Sequence, residues 1–461
     1  MTIDRPFSVR GKRVTVVGAA RSGVAAAELL VRRGATVTLT DMRDRLDDED
    51  RLRAAGVDLE LGGHQASTFS GVDLIVTSPG VPYRQPLVEA ARYAGIPVMG
   101  ELELASRWLR GKVVAITGTK GKSTTTTLTG RMLEAGGRRV LVGGNIGHAL
   151  SAQVDESTED TIHVIETSSF QLETADTFHP WIAVLLNFSP DHLDRHATVE
   201  EYAAAKTRIF AQQAGGDWAV LNADDSATLA MAAGGQARQL LFSMRGELSE
   251  GIVVDGEAIV RRSAAGREPL VPLSAIRLLG PHLVADVLAA SAVAWLVGVD
   301  AAAMTRAVEG FSGLEHTLEP VGEVGGVWFV NDSKATNIEA ARRAIESFGD
   351  GLVVILGGRF KGGDFHDLLE PLESRQGTVV AIGESRPLIA DALGAHVEVH
   401  EAGDMSAAVR TAFASASPGQ TVVLAPACAS FDMFRDYAER GRVFKQEVLR
   451  LQEEWNVTRE Q

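Results

Sequence analysis

The sequence predicts an α/β protein whose sheets are largely parallel and whose chain is divided into three segments. Strand-like apolar runs alternate with helical patterns along almost the whole chain, which is typical of such sheets. Each segment also begins with a strand that leads into a Gly-rich turn. The chain has 461 residues, 45% of them hydrophobic, which is enough for about two to four domains with cores of their own.

The segment boundaries follow from where the strands restart. The first segment runs from Val14 to about Arg110, the second opens at Lys112, and the third begins near Gly313. Residues 252–260 interrupt the alternation, because Asp-Gly between two β-rich triplets predicts a tight antiparallel hairpin. The strands expected in the third segment lie at residues 327–330, 352–356, 379–382 and 422–424.

Composition narrows the classes of function. The chain has 45 basic and 60 acidic residues, a formal net charge of −15, which argues against a nucleic-acid partner. Cys428 is the only cysteine, so an intramolecular disulfide is excluded. The N-terminus lacks an apolar signal sequence, and the most apolar helix, residues 287–299, is shorter than the roughly 20 residues that span a bilayer. We expect a soluble cytoplasmic protein without a membrane partner.

The most informative stretch is Ala-Ile-Thr-Gly-Thr-Lys-Gly-Lys-Ser-Thr-Thr at residues 115–125. A strand leads into a loop with Gly118 and Gly121, and a helix then begins with Lys122 and Ser123. Chemistry on a nucleoside triphosphate needs this order, because glycines admit phosphates to backbone N–H groups, the lysine reaches the β/γ oxygens and the hydroxyl holds Mg²⁺. The loop is shorter than the generic P-loop, since Ile116 replaces the first glycine. The alternative is a Gly-rich turn with a solvated lysine.

The first segment resembles a dinucleotide fingerprint. Its opening strand ends at Gly18, a turn runs to Gly23, and a second strand ends at Asp41, where an acid would reach a ribose hydroxyl. Ala20 replaces the middle glycine, which weakens the match. A NAD(P) site, another nucleotide-diphosphate site and a plain structural βαβ unit all remain open at this point.

In the second segment, polar clusters follow apolar strands at residues 143–147, 166–171 and 187–195. Ligands of parallel sheets lie outside the carboxyl ends of the strands, so we expect all three clusters at the crevice that holds the phosphate loop. Glu166 is placed to help Ser123 hold Mg²⁺. His192 is either a ligand of a second metal or a structural histidine.

Lys206 lies on a predicted helix that opens with a capping box, Thr198-x-x-Glu201. It shares an apolar stripe with one tyrosine, one isoleucine and one phenylalanine: Tyr202, Ile209 and Phe210. A lysine on such a stripe either extends its amine to solvent or is a partly desolvated amine with a lowered pKa that can react.

Taken together, the motifs resemble those of the Mur ligase family of peptidoglycan synthesis, over essentially the whole chain. The matching motifs are Gly-Thr-Lys-Gly-Lys-Ser-Thr (118–124), Gly-Gly-Asn-Ile-Gly (143–147), Glu-x-Ser-Ser-Phe-Gln-Leu-Glu (166–173), Asp-His-Leu-Asp-Arg (191–195), Asn-Asp-Ser-Lys-Ala-Thr-Asn (331–337) and Pro-Ala-Cys-Ala-Ser-Phe-Asp (426–432). The resemblance is greatest to the branch that adds D-glutamate to UDP-N-acetylmuramoyl-L-alanine in an ADP-forming reaction.

The resemblance implies three domains and a monomer. They are a Rossmann-like UDP-binding domain at residues 1–110, a central P-loop-type ATPase domain with a mainly parallel sheet at residues 111–312, and a C-terminal, Rossmann-like amino-acid-binding domain at residues 313–461.

It also implies binding residues for each substrate. ATP would be bound by Gly118, Thr119, Lys120, Gly121, Lys122, Ser123, Thr124, Asp286, Asp332 and Lys334. The UDP substrate would be bound by the turn from Gly18 to Gly23 with Arg21 and Ser22, and by Asp41, Arg43, Gly80, Asn145, Gln171 and His192. D-Glutamate would be bound by Thr336, Lys361, Ser430, Phe431 and Tyr437.

The implied reaction passes through an acyl phosphate. The acceptor carboxylate takes the γ-phosphoryl group of ATP, and the amine of D-glutamate then displaces phosphate. Lys122 and two Mg²⁺ ions would offset the charge of the two negative reactants. Ser123 and Glu166 would hold the first ion, and His192 and a carbamylated Lys206 would hold the second. The expected catalytic residues are Lys122, Glu166, His192 and Lys206.

Two positions depart from the family pattern. His-Asn-x-x-Asn is expected where this chain has His282-Leu283-Val284-Ala285-Asp286, and an arginine is expected where it has Thr317. Asp286 places an acid, expected to be negatively charged, close to the phosphates of ATP. Thr317 removes a fixed cation near the ATP. We therefore expect an altered affinity for ATP.

Other readings stay open. A relative that adds L-glutamate would share these residue types, whereas ligases for diamino acids carry an Asp-Asn-Pro-Arg motif that is absent here. Folylpolyglutamate synthases share the phosphate loop but bind a pteridine, which the first segment disfavours. A NAD(P)-dependent oxidoreductase would leave the phosphate loop, Glu166 and His192 without a role. A non-catalytic nucleotide-binding regulator is supported only by the two departures.

Overall fold

The computed structural model describes residues 7–192, 195–277, 281–311 and 313–459, and for residues 281, 282, 458 and 459 it describes the backbone alone. By their contacts these residues form two compact units. One contains two sheets and ends at Gly310, and the other contains a third sheet and consists of the residues from Phe311 onward together with Arg277 and Pro281. The prediction of an α/β protein with mainly parallel sheets is confirmed.

The first sheet is entirely parallel, in the order β3-β2-β1-β4-β5. Its order reverses between β1 and β4, and ligands of doubly wound sheets bind at such a switch point. The strands are β1 (Arg13–Val17), β2 (Thr36–Thr40), β3 (Val57–Glu60), β4 (Leu74–Thr77) and β5 (Val98–Gly100). The helices are α1 (Arg21–Arg32), α2 (Glu49–Ala54), α3 (Pro86–Tyr93) and α4 (Glu101–Ser106).

The second sheet has nine strands in the order β14-β13-β12-β11-β10-β9-β6-β8-β7, of which only β12–β14 pair antiparallel. Its strands are β6 (Lys112–Thr117), β7 (Arg139–Gly144), β8 (Thr161–Glu166), β9 (Ile182–Leu185), β10 (Trp218–Asn222), β11 (Arg238–Ser243), β12 (Gly251–Asp255), β13 (Ala258–Ser263) and β14 (Gly266–Pro272). Its helices are α5 (Lys122–Ala135), α6 (Leu150–Gln153), α7 (Ser169–Leu172), α8 (Val199–Thr207), α9 (Ser226–Ala232), α10 (Pro281–Val297) and α11 (Ala301–Glu309).

The hairpin predicted from Asp-Gly is the one between β12 and β13, where Asp255 pairs with Ala258 and Gly256 has a φ of 61°. The strands β6, β8 and β9 at the centre of the sheet are almost wholly buried. Their continuous apolar runs therefore suit a parallel sheet that is covered on both faces. No helix among the described residues is both long enough and apolar enough to cross a membrane.

The third sheet has the order β15-β16-β20-β17-β18-β19 and is parallel except for the β15–β16 pair. Its strands are β15 (Glu319–Val324), β16 (Val327–Asn331), β17 (Leu352–Gly357), β18 (Thr378–Ile382), β19 (Val399–Glu401) and β20 (Thr421–Leu424). Its helices are α12 (Ile338–Glu346), α13 (Leu369–Glu373), α14 (Arg386–Leu393), α15 (Met405–Ser415) and α16 (Tyr437–Arg459). The four strands expected from the sequence are β16, β17, β18 and β20.

Several helices begin at a side chain that accepts a hydrogen bond from the first turn, which satisfies a donor that the helix itself leaves unpaired. These caps are Thr198 before α8, Asp225 before α9, Asp300 before α11, Asn337 before α12 and Asp404 before α15. At α8 the predicted capping box is half formed, because the Glu201 carboxylate accepts from the N–H of Ala197 instead of that of Thr198. The cap residues thus fix where these helices begin, including α8, which carries Lys206.

Candidate active site

The phosphate loop joins β6 to α5, as its sequence predicted. Gly118 and Gly121 have φ values of 157° and 80°, and a Cβ on Gly118 would lie 3.0 Å from the Cβ of Leu186. The Lys122 Nζ donates to the carbonyl oxygens of Gly118 at 3.1 Å and Thr119 at 2.9 Å. The lysine therefore lies folded over its own loop at the N-terminus of α5, where phosphate oxygens are favoured.

Asn187, which follows β9, holds this loop in shape. Its Oδ1 accepts from the N–H groups of Thr119 at 3.1 Å and Lys120 at 2.9 Å, and its Nδ2 donates to the Lys120 carbonyl at 3.1 Å. The Lys120 ammonium lies 3.8 Å from the Asp191 carboxylate. The loop is thus ordered by its neighbours in the sheet, although the sequence analysis did not assign Asn187 a role.

Glu166, at the end of β8, is a buried carboxylate with hydroxyl and amide partners. Its Oε2 accepts from the Ser123 Oγ at 2.7 Å, and its Oε1 accepts from the Asn145 Nδ2 at 2.7 Å. Glu166 is 2% exposed. Oxygen atoms in this arrangement suit a hard divalent cation, which prefers carboxylate and hydroxyl oxygens. The residues therefore fit the predicted first Mg²⁺ site.

Lys206 is buried rather than solvent-extended, being 1% exposed. Its Nζ donates to the Gly118 carbonyl at 2.7 Å and lies 4.8 Å from the centre of the Tyr202 ring. Burial, and secondarily the charge of Lys122, lowers the pKa of Lys206 well below its ordinary value. Of the two interpretations that the spacing allowed, a desolvated amine is the one that agrees with the structure.

His192 lies beside the same tyrosine. Its ring centre is 5.0 Å from that of Phe170 and 6.2 Å from that of Tyr202, and its backbone has a φ of 56°. Its side chain is 47% exposed, so it is accessible to a ligand. Leu193 and Asp194 of the predicted motif lie outside the described residues. The part of the chain that the structure describes contains no cluster of three or more His, Cys, Asp or Glu side chains that could hold a metal.

Asp286 corrects one expectation. It was expected to bring negative charge close to the phosphates, but it is 5% exposed, and burial raises the pKa of its carboxyl well above the ordinary value. Its Oδ1 lies 3.1 Å from the Thr125 Oγ1, and a Cβ on Gly121 would come within 2.2 Å of that oxygen. Burial therefore favours the neutral form of the carboxyl group that packs behind the phosphate loop. Leu283 is buried beside it on α10, and the His282 side chain lies outside the described residues.

The predicted UDP-binding residues are concentrated at the switch point between β1 and β4. A Cβ on Gly18 would lie 2.8 Å from the Val81 Cγ2, so the turn after β1 packs directly on the turn after β4 that contains Gly80. Arg21 at the start of α1 donates to the Asn145 carbonyl at 3.0 Å. Ser22 follows it in the first turn of α1. These contacts join the first sheet to the loop that supports Glu166.

Asp41 organises its neighbours through both carboxylate oxygens. It accepts from the Ala19 N–H at 2.5 Å and from the Arg43 backbone at 2.9 Å and guanidinium at 2.9 and 3.2 Å. Burial acts to raise its pKa, but the Arg43 side chain and the Ala19 N–H outweigh burial and lower it to about 2. Asp41 is therefore ionised and fixes Arg43 against the turn.

Gln171, on α7, carries a buried Nε2 that has no hydrogen-bond partner among the described residues, while its Oε1 accepts from the Ser168 N–H at 3.0 Å. An unpaired buried donor is costly unless a ligand completes it. This agrees with the prediction that Gln171 contacts the acceptor.

In the second unit, the predicted residues follow the carboxyl ends of the adjacent strands β16, β20 and β17. Thr336 and Lys361 come together, with the Lys361 Nζ 3.4 Å from the Thr336 Oγ1. Ser430 is buried, whereas Phe431 is 64% and Tyr437 39% exposed. The exposed aromatic rings and the Lys361 ammonium are thus on segments that follow adjacent strands, and they are able to receive a ligand with an anionic group.

The same edge holds the predicted ATP contacts Asp332 and Lys334, and the Lys334 N–H donates to the His316 carbonyl. Burial raises the pKa of Asp332 to about 7, against the lowering effects of the Leu318 N–H and Lys334. Thr317, one of the two departures, has a buried hydroxyl that finds no partner among the described residues.

Arg440 was not singled out from the sequence. It is 1% exposed and donates to the carbonyls of Gly357, the last residue of β17, and of Ser333 and Cys428, which lie in the segments that follow β16 and β20. Burial lowers its pKa to about 10. Cys428 itself is buried.

Comparison with protein families gives three matches in chain order. A model described as Mur ligase MurD-like, N-terminal domain matches residues 12–100, and one described as Mur ligase middle domain matches residues 116–294. A model described as Mur ligase, glutamate ligase domain matches residues 318–428. The three matches together span most of the chain.

Two curated proteins called UDP-N-acetylmuramoylalanine–D-glutamate ligase are similar along nearly their whole length. The protein from Acidobacterium capsulatum is 48% identical, covering 96% of this chain and 97% of its own. The protein from Pelotomaculum thermopropionicum is 46% identical, covering 95% and 98%.

Solved structures of more distant proteins share the fold. The UDP-N-acetylmuramate-alanine ligase MurC of Thermotoga maritima superposes with a TM-score of 0.58 at 19% identity, covering 95% of this chain and 99% of its own. The type C pseudomurein peptide ligase of Methanothermus fervidus gives a TM-score of 0.59 at 17% identity, covering 96% and 100%.

Proposed function

The chain belongs to the Mur ligase family, and we propose that it joins D-glutamate to UDP-N-acetylmuramoyl-L-alanine with cleavage of ATP to ADP and phosphate. The observation that carries the proposal is 48% identity to a D-glutamate ligase over 96% of the chain. Use of ATP follows from the family. The choice of acceptor and amino acid is the part that requires a test.

The reaction has two balanced steps. An oxygen of the acceptor carboxylate attacks the γ-phosphorus of ATP, the bond to the β-phosphate oxygen breaks, and ADP leaves. The D-glutamate amine then attacks the acyl carbon, loses a proton, and the C–O bond to phosphate breaks. Two anions meet in the first step, so its barrier is largely electrostatic.

Lys122 and the loop N–H groups are the residues that we assign to the phosphates. To reach them, the Lys122 Nζ exchanges its bonds to the carbonyls of Gly118 and Thr119 for phosphate oxygens. A charge-assisted bond to phosphate is stronger than one to a neutral carbonyl, which favours this exchange. The loop geometry fixed by Asn187 remains in place during it. Lys120, Gly121 and Thr124 complete the proposed phosphate contacts.

Two Mg²⁺ ions are part of the proposal, with Ser123 and Glu166 as ligands of the first and His192 and modified Lys206 as ligands of the second. When bound, they would neutralise developing phosphoryl charge. The short Ser123–Glu166 contact supports the first assignment. The His192 ring centre and the Lys206 Nζ both lie near the Tyr202 ring, at 6.2 and 4.8 Å, which supports the second.

We propose that Lys206 is carbamylated. A neutral amine adds to CO₂ and releases a proton, which converts a cation into a carboxylate. The buried setting of Lys206, in which its pKa is lowered, supplies the neutral form that this step needs. A ¹³C NMR spectrum of the native chain in ¹³C-labelled bicarbonate would show a carbamate signal that Lys206→Arg lacks, and the absence of that signal from the unaltered chain would refute the modification.

The remaining assignments follow the same logic. The turns at the β1/β4 switch point would bind the UDP portion of the acceptor, together with Arg43, which Asp41 holds in place. Asn145 and Gln171 would bind the rest of the acceptor. Asp332 and Lys334 would contact ATP, and the Thr336–Lys361 cluster with Ser430, Phe431 and Tyr437 would bind D-glutamate. We further propose that the chain has three domains, at residues 1–110, 111–312 and 313–461. We also propose that it is a monomer and that it acts in the cytoplasm, where ATP is present.

The test is phosphate release with ATP, Mg²⁺, bicarbonate and UDP-N-acetylmuramoyl-L-alanine, comparing D-glutamate, L-glutamate and no amino acid. Release that depends on D-glutamate supports the proposal. Release with L-glutamate alone would retain the ligase chemistry and overturn the substrate. No release from folded protein under any condition would overturn the ligase itself, and light scattering at the 49.0 kDa mass of one chain would test the monomer.

A further inference from the structure

Arg195 joins the central sheet to a turn of the first sheet through backbone carbonyls alone. Its Nη1 donates to the Gly80 carbonyl at 3.1 Å, and its Nη2 donates to those of Pro79 at 3.4 Å and Val81 at 3.2 Å. Its guanidinium lies 4.4 Å from the centre of the Phe170 ring. Among the described residues, no carboxylate lies within ion-pair distance of Arg195. Its positive charge is therefore met by three carbonyl dipoles and one aromatic face.

The turn that Arg195 holds is one wall of the switch-point crevice. The Val81 N–H bonds the Ser78 carbonyl at 3.0 Å, which makes residues 78–81 a tight turn at the end of β4. The turn after β1 packs against it closely enough that Gly18 has no room for a side chain. Fixing residues 79–81 therefore also fixes the opposite wall of the crevice.

The contacts of Arg195 also set the direction of one free donor. In a trans peptide the N–H points away from the preceding carbonyl, so a Pro79 carbonyl that faces Arg195 turns the Gly80 N–H to the other side. That N–H has no acceptor among the described residues, and nothing lies within 4 Å of where a Gly80 Cβ would be. A donor in open space, polarised by a cation behind its peptide group, suits an anionic oxygen.

The backbone of Arg195 is tied to the candidate metal ligand. Its N–H donates to the His192 carbonyl at 3.0 Å, and Phe170 contacts both the Arg195 guanidinium and the His192 ring. His192, the candidate metal ligand, and Arg195, which contacts the turn at residues 79–81, are thus three residues apart in the chain.

We propose that Arg195 is a positioning residue that sets the distance between the nucleotide-binding turn at residues 79–81 and the loop that carries His192. The acceptor must span these two places, with its diphosphate at the turn and its carboxylate near the phosphate loop. The inference rests on the proposed function, because it needs an acceptor that is anionic at both ends. Arg195 acts through the Gly80 turn and is not assigned a contact with the reacting atoms.

A matched control separates positioning from simple adhesion of the two sheets. Arg32, the last residue of α1, and the following Arg33 both pair with Asp155 of the central domain, at 2.9 and 2.8 Å. Asp155→Asn removes the negative charge and one of the two acceptor oxygens of these contacts without touching the crevice. A residue that merely holds the sheets together should behave like this control.

The experiment measures binding of UDP-N-acetylmuramoyl-L-alanine by calorimetry without ATP, and then KM and kcat for each substrate. We compare the unaltered chain with Arg195→Met, Arg195→Lys and Asp155→Asn. Arg195→Met should weaken acceptor binding and raise its KM at least about tenfold, since it loses charged donors, with the KM of ATP unchanged. Arg195→Lys keeps the charge but not the three-way contact, so its loss should be smaller. Asp155→Asn should bind the acceptor like the unaltered chain.

Three results would overturn the inference. Acceptor binding by Arg195→Met and Arg195→Lys equal to that of the unaltered chain would remove the positioning role. A parallel rise in the KM of acceptor, ATP and D-glutamate would show a general structural effect instead. No acceptor binding by the unaltered chain would defeat the proposed function, and this inference with it, whereas the first two results leave that function standing.

Discussion

Replacing Asp286 with asparagine should remove a pH dependence from the stability of the native chain. The Asp286 carboxyl is buried against Thr125 and Gly121, and burial raises its pKa well above the ordinary 3.8. In the unfolded chain the same group is ionised above that pH. The native state then binds one proton more, so the free energy of unfolding falls by about 1.4 kcal/mol per pH unit between 3.8 and the native pKa.

Asparagine retains an oxygen for the Thr125 hydroxyl and does not ionise. The stability of Asp286→Asn relative to the native chain should therefore rise by about 1.4 kcal/mol for each pH unit from 5 upward, until the native carboxyl itself titrates. Comparing the two chains at each pH cancels the contributions of all other groups. Asp58→Asn, at an exposed carboxylate on β3, is the matched control and should show no such trend.

The assay is hydrogen-exchange mass spectrometry of peptides from α5 and α10, at pH 5, 6 and 7. This reports opening of the part of the chain around Asp286, whereas whole-chain unfolding would mix two compact units. A difference between the two chains that is constant across the three pH values would refute the reasoning. It would mean that Asp286 is ionised in the native state, with negative charge behind the phosphate loop after all.

Three further predictions test other parts of the site. Lys122→Met should lower kcat by about a thousandfold in the phosphate-release assay with a small change in acceptor KM, because the lysine acts on developing phosphoryl charge. Burial lowers the pKa of His163 to about 4 from 6.5, so the stability around β8 should fall by about 3 kcal/mol as pH falls through this range. Hydrogen exchange of peptides from β8 would measure this loss, and His163→Gln should lack it. Gly121→Ala should destabilise the chain by about 2–4 kcal/mol. The φ of Gly121 is 80°, and an added Cβ would collide with Asp286. Gly215→Ala, at a position where an added Cβ meets nothing within 4 Å, should change stability by less than about 1 kcal/mol.

What the sequence predicted well is encoded locally. The order strand, glycine loop and helix at residues 113–125 is enough to specify the phosphate loop, because the required φ values and donors lie within a few residues. The Asp255-Gly256 hairpin is specified in the same way. Strand ends in a parallel sheet then bring Ser123 and Glu166 together without further information.

What the sequence could not predict depends on contacts between distant residues. The protonation of Asp286 follows from its burial beside α5, 161 residues away from Thr125 in the chain, and an isolated Asp gives no sign of it. Arg195 contacts a turn more than 110 residues earlier. The sequence around Arg440 predicts an exposed residue on a helix, whereas in the structure its guanidinium is buried against the carbonyls of three distant segments. Spacing alone left Lys206 undecided for the same reason.

Several cations of the candidate sites share a mode of binding that suits anionic substrates. Arg21, Arg195, Arg440 and Lys206 all donate to backbone carbonyls. A carboxylate partner would cancel the charge, and truncating it would leave an unpaired ion, whereas carbonyls satisfy the donors and leave the charge in place.

This matters in a chain with a net charge of −15. Its overall field repels polyanions, but charges are screened over about 8 Å in physiological salt, so that only groups close to the ligand act strongly on it. Cations held by backbone carbonyls would give the proposed substrates a local positive region inside an acidic protein. The same contacts tie neighbouring loops together, so the groups that attract the substrates also fix the distances between them.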